Sequence, residues 1–189
     1  DRDHAPDRQA RWDAITALLE TKGLASPADF LEPTSPQSRT LDWLVYQDQT
    51  HTPLDTPVQQ NRLVQRYTLI LLAFSTGVEL WETLNPWTAM VQTHECSFDG
   101  IECNDKGQVV SVKLPGWRLS GSLPEALGLV LTHLTSLVMS HNKLEGAIPE
   151  TLFQLTKLGT CVSSCSFSHI KTLPLFLLTL RFVVFHFVL

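Results

Sequence analysis

His94, Glu95 and Cys96 stand side by side in "THECSFDG". A thiol beside an imidazole and a carboxylate has the makings of an activated nucleophile. Adjacent positions rarely turn toward one another, however, and Cys96 is better explained as half of a disulfide. Cys161, Cys165 and His169 have ligand-like spacing along a helix face. A structural zinc site takes four ligands, and no fourth donor stands nearby. Asp99, Asn104 and Asp105 do not follow the ligand order of a calcium loop. His133 and His141 read as solvent-facing polar residues. No glycine-rich phosphate loop or kinase signature occurs. Only a deep polar pocket uniting Asp42, Asp48, His51 and Asp55 would revive catalysis. The expectation is therefore a chain with no catalytic residue, no metal and no cofactor.

The elements that would position these residues come from 189 residues that are 43% hydrophobic and 17% charged. That composition buries a core and is not that of a disordered chain. A net charge of −5 argues against nucleic acid, whose phosphates need a surplus of Lys and Arg. The cysteines form two close pairs, Cys96/Cys103 and Cys161/Cys165, which suits an oxidising compartment. None of Asn61, Asn85, Asn104 and Asn142 begins a glycosylation sequon, which weighs slightly against secretion. The chain opens on Asp1 without a methionine or apolar leader. It reads as a processed product or a fragment, with any targeting signal upstream.

"GWRLSGSLPEAL", residues 116–127, returns as "HNKLEGAIPETL", residues 141–152, 25 residues later. The pairs are Val112/Leu137, Leu114/Met139, Leu119/Leu144, Gly121/Gly146, Leu123/Ile148, Pro124/Pro149 and Leu127/Leu152. Further on the offset is 24, with Leu131/Leu155 and Leu134/Leu158. This is the leucine-rich-repeat pattern L-x-x-L-x-L-x-x-N-x-L-x-G-x-I-P. Leu137 and Met139 alternate with Ser136, Val138 and Ser140, so a short strand sends one set inward and the other to an open face. Asn142 can hydrogen-bond the neighbouring turn, Gly146 permits the bend, and Pro149 ends the extended run. Two repeats read cleanly, 109–133 and 134–158. A third would need leucines near 161 and 163 and asparagine near 166, where Cys161, Ser163 and Ser166 stand. The pattern is expected to stop at about Leu158.

Cys96 and Cys103 enclose Asp99-Gly100 just before the first strand, Val109–Leu114. A disulfide there would cover the naked end of a stack of coils, which needs such a cap. The layout W…C-x6-C…V-x-L-x-L followed by GxIP repeats resembles the plant-type extracellular leucine-rich-repeat N-terminal cap. "SPQSRTLDWLVYQD", "RYTLILLAF" and "LWETLNPW…HECSFDGIECN" resemble the diatom-type leucine-rich-repeat family, whose members place a helical cap before many repeats, often downstream of a membrane segment. The resemblance covers about residues 35–160. Trp117 in the asparagine position and Ser97-Phe98 in place of a tryptophan depart from it.

The helices read from their own residues. Trp12, Ile15, Leu18 and Leu19 share one helical face, and Gly23 is a stop signal. "LASPADFLEPTSP" is a linker. Ser35-Pro36 opens a second helix with Leu41, Leu44 and Val45 on one side, broken by "HTPLDTP". Val58 to Phe74 is a third, with Leu63, Tyr67, Ile70, Leu71 and Phe74 inward, too short and too polar at its start to span a membrane.

The expected organisation is a helix and linker over 1–34, a helical cap over 35–108, repeats over 109–160 and an apolar tail over 161–189. In fold class it is a short α/β leucine-rich-repeat solenoid of about two repeats behind an α-helical cap. The candidate binding face is Ser111, Lys113, Ser136, Val138, Ser140 and His141. The tail has no acid and only Lys171 and Arg181 as bases. Its apolar stretch, residues 172–189, reads as a translated intron or frameshift, as a short membrane helix, or as the tail of a lipid-anchor signal. The function expected is non-catalytic recognition of a protein or glycan, at a membrane or outside the cell, by a fragment of a larger protein. The alternatives are a truncated product without independent function and an enzyme built on the helical region.

Overall fold

The computed structural model describes residues 5–83, 87–163 and 183–185. The cysteine–histidine spacing at 165 and 169, and most of the apolar stretch 172–189, lie outside the described residues. No described helix is long and apolar enough to cross a membrane.

Three helices come first. Helix α1, Ala5–Thr21, ends where Gly23 adopts a left-handed φ of 66°. Gly23 N donates to Glu20 O and Leu24 N to Leu19 O, so two carbonyls of the last turn are satisfied by the bend that Gly23 permits. Helix α2, Pro36–Asp42, starts at Ser35, whose hydroxyl accepts from Ser38 N. It runs into a single π turn, Trp43–Gln47. That wider turn buries Trp43, Leu44 and Val45 in succession, adding Trp43 to the apolar face anticipated from periodicity. Helix α3, Pro57–Ser75, opens on a capping box in which Thr56 and Gln59 exchange backbone and side-chain hydrogen bonds. It is buried on nearly every side from Leu63 to Ala73, which is why its apolar residues run together.

Strand β1, Ile101–Cys103, pairs antiparallel with β2, Val109–Lys113. Strand β3 is Ser120–Gly121, helix α4 is Ala126–Val130, β4 is Ser136–Val138 and β5 is Lys143–Leu144. β2 and β4 are parallel with Ser111 opposite Ser136 and Val112 opposite Leu137, and β3 and β5 form a second parallel ladder. The sequence offset of 25 is thus the step from one strand to its neighbour. A third strand, β6, Thr160–Ser163, continues the ladder parallel to β4, with Leu137 opposite Cys161. The ladder thus runs one strand past Leu158, where the leucine pattern stops, and the rest of a third coil lies outside the described residues. Backbone N–H and C=O groups suffice to extend a parallel ladder, so the strand forms although the leucine and asparagine signature is gone. Strand β7, Val183–Phe185, lies beyond it in parallel register.

The core is continuous from Ile15 on α1 to Leu158 at the end of the second coil. The repeat pairs Val112/Leu137, Leu114/Met139, Leu119/Leu144, Leu127/Leu152, Leu131/Leu155 and Leu134/Leu158 are all within it. The helices therefore pack on the coils rather than hanging from them. Gly121 marks one joint: at φ 80° a Cβ there would sit 2.5 Å from Ser75 O at the end of α3. Gly128 marks another, where a Cβ would meet the Thr151 backbone of the next coil at 2.2 Å.

Candidate functional site

The expected face lies where the alternation placed it, with one exception. Ser136, Val138 and Ser140 are half-buried and Lys113 and His141 exposed, while Leu137 and Met139 between them are in the core. Ser111 is the exception, at 2% exposure. The reason is strand β1. It sets Glu102 opposite Ser111 on one side while Ser136 flanks it on the other. Lys113, two residues on and so on the same face, reaches back to Glu102 with Nζ–Oε1 2.8 Å. Ser111 is therefore a floor position of the face and not part of its accessible surface.

That ion pair also sets the local electrostatics. The Lys113 hydrogen bond, then its charge, holds the Glu102 carboxyl below its ordinary range. The pair is exposed, so its value to folding is small. Lys113 therefore presents a half-compensated charge at the first-coil edge.

Asn142 fixes the turn that ends the face. Its Oδ1 accepts from Leu119 N at 3.0 Å, and its Nδ2 donates to Leu114 O at 2.7 Å and Met139 O at 3.0 Å. One side chain thus ties the second coil to the first. His141 beside it takes a left-handed φ of 58°, where the first coil has Gly116 at 69°. In the first coil the asparagine position is Trp117, which turns to the cap instead. Its ring packs edge-on against Trp81 at 5.6 Å and Trp87 at 6.4 Å, and Trp87 stacks on Phe98 at 5.6 Å. The two departures from the cap pattern, Trp117 and Phe98, are therefore parts of one aromatic cluster between cap and coil.

The imagined catalytic groups are spent on structure. Cys96 is joined to Cys103. His94 Nδ1 accepts from Cys96 N at 3.1 Å. Glu95 is fully buried, 3.5 Å from both Arg66 Nη1 and Arg62 Nε. Asp48 is gripped by Arg66 through Nε–Oδ2 3.0 Å and Nη2–Oδ1 2.9 Å, and Arg66 Nη1 donates to Thr93 O. The Arg66 guanidinium also lies over the Trp43 and Phe98 rings. Gln65 completes the link, donating to Gly107 O and accepting from Val109 N at the start of β2. Of the four polar residues proposed for a pocket, Asp48 is in this network, whereas His51 and Asp55 are exposed. Asp42 is half-buried, and partial burial raises its carboxyl. Among the described residues no three His, Cys, Asp or Glu side chains are grouped to hold a metal. Sequence reasoning missed the Arg66 network altogether. Its one visible signal was Arg66 inside the largely apolar run "LVQRYTLILLAF".

The chain's sequence has counterparts among plant proteins. The chain is 38% identical over 69 residues to the LRR receptor-like serine/threonine-protein kinase RGI3 of Arabidopsis thaliana. The chain is similar to plant leucine-rich-repeat proteins. It is also 31% identical over 85 residues to the leucine-rich repeat receptor-like serine/threonine-protein kinase SKM1 of the same plant. These matches cover 36% and 44% of this chain but only 6% and 9% of the relatives' lengths. A solved BIR3–SERK2 complex from Arabidopsis thaliana aligns over 53% of this chain and 55% of that one, at 27% identity and a TM-score of 0.42. No protein-family model matches the chain.

Proposed function

We propose that this chain is the capped start of a leucine-rich-repeat solenoid that recognises a protein ligand without catalysis. The observation that carries the reading is the register of β2 and β4. It sets Lys113 beside Val138 on one face, with Ser136, Ser140 and His141 around them, and sinks the intervening Val112, Leu137 and Met139. A row of small polar, apolar and cationic side chains on a rigid ladder is suited to reading an extended partner. Serine and histidine would also suit a glycan, which is the second ligand class. The cystine supports a site of action outside the cytoplasm, free or membrane-associated. The three helices packed before the coils support the likeness to the diatom-type family. Two coils offer less than the roughly 800 Å² per partner of a standard interface, so the reading places this chain within a larger protein.

The test is to pan displayed peptide and glycan libraries on the full chain and to re-measure each binder on Lys113→Glu and Val138→Asp. Each substitution is expected to weaken ladder-face binders about tenfold, as loss of a central contact does. Binders indifferent to both would overturn the assignment of the face.

A further inference from the structure

A second surface lies at the other end of the strands. A cleft of about 590 Å³ opens between the end of α1, the first half of α3, the loop into β2 and the segment that leads into β4. That volume is in the range of ligand-sized sites. Lys22, Arg62 and Lys106 line it together with His94 and His133, and no carboxylate does among the described residues. This is a cationic concavity on a chain whose net charge is −5.

Two of the three cations, Lys22 and Lys106, are not consumed internally, and Arg62 shares its one partner. Arg62 faces the buried Glu95 at 3.5 Å, and Glu95 is already opposed by Arg66. Lys22 meets only the neutral Asn61 amide oxygen, at 3.3 Å. Neither Lys22 nor Lys106 forms an ion pair among the described residues. Between the cations the cleft has an apolar half, in which Val58 is 79% exposed and Leu129 44% exposed. Both belong to the few large hydrophobic residues left at the surface of the described chain.

We propose that this cleft binds an acidic peptide segment of a partner protein, one that alternates carboxylates with apolar side chains. The carboxylates meet Lys22, Arg62 and Lys106, and the apolar side chains cover Val58 and Leu129. A concave wall with both characters favours such a segment over a sulfated sugar, which brings charge but little to bury on Val58 and Leu129. The cleft is separate from the ladder face, because it adjoins residues entering β2 and β4, whereas Ser140 and His141 lie beyond their far ends.

The test uses the full chain and a fluorescent peptide of alternating glutamate and leucine, with its glutamine counterpart and a sulfated oligosaccharide as competitors. The glutamate peptide is expected to bind, to weaken as salt rises, and to displace better than either competitor. Lys22→Glu with Lys106→Glu is expected to weaken it about tenfold or more. Val58→Asp is expected to do the same from the apolar side. Lys113→Glu, on the ladder face, is expected to leave it unchanged, which separates failure here from failure of the ladder-face reading. Circular dichroism of each variant confirms folding, and Lys22→Gln with Lys106→Gln replaces the reversal if that variant is unfolded. No binding, equal binding to the charge variants, or tighter binding of the sulfated oligosaccharide would overturn the proposal.

Discussion

The Arg66 guanidinium and the Asp48 carboxylate meet side-on through two hydrogen bonds of 3.0 and 2.9 Å, and both side chains are fully buried. A planar, two-point contact of this kind is directional as well as strong. It ties α3 to the segment after the π turn, while the neighbouring Gln65 ties α3 to β2.

Removing Asp48 leaves the buried Arg66 with only its longer contact to Glu95, at 3.5 Å. Asp48→Ala is expected to destabilise the chain by about 3–5 kcal/mol. Asp48→Leu, Arg66→Met and Glu95→Gln together are expected to recover much of that loss, because a buried charge cluster can be replaced at little net cost once no charged member is stranded. Urea unfolding of the three proteins measures both. A combined variant as unstable as Asp48→Ala would show that the ionic cluster itself is indispensable.

The cap cystine makes a second expectation. Peptide mapping without reduction should recover Cys96 linked to Cys103. Cys96→Ser with Cys103→Ser should cost about 2–4 kcal/mol through the freed unfolded chain. Free thiols at both positions in secreted material would contradict the assignment.

Asn142 bridges two coils with one amide, so Asn142→Ala strands Leu119 N and Leu114 O. A loss of about 1–3 kcal/mol is expected, since buried backbone groups left unpaired carry their desolvation cost. Thermal unfolding reads the loss. A change below about 0.5 kcal/mol would show that other groups satisfy the turn.

Tyr67 gives the expected pH dependence. Burial, with a smaller contribution from Asp29, raises its phenol above the ordinary value of 10.0. Its hydroxyl has no hydrogen-bond partner among the described residues. Above pH 10 the unfolded chain releases a proton that the folded chain retains, so stability present below that pH is lost as pH rises. Tyr67→Phe is expected to unfold less steeply in alkali and to gain about 1 kcal/mol at neutral pH. Parallel alkaline titrations of both proteins, followed by circular dichroism, would expose identical curves if the phenol played no part.

Much of this architecture was legible because the side chains that build it are special in kind. Leu, Gly and Pro repeating together marked the coils, Ser35-Pro36 and Gly23 marked helix ends, and alternation around Leu137 marked the ladder face. What escaped was long-range. Nothing local announces that Arg66 will reach Asp48, or that β1 will flank Ser111 and bury it. Trp117 was visible as a break in the asparagine pattern, yet its packing on Trp81 and Trp87 depends on how the cap folds back. β6 escaped for the opposite reason: its ladder uses backbone groups, which no side-chain pattern records.

The role of the ladder face as a recognition surface is tested most directly by hydrogen exchange with a selected binder. Slowed exchange is expected in peptides spanning 111–113 and 136–142 when ligand is bound, with α1 and the cleft residues 106–108 unchanged. Protection confined to the cleft or the helices, with the two strands exchanging as in the free chain, would contradict it.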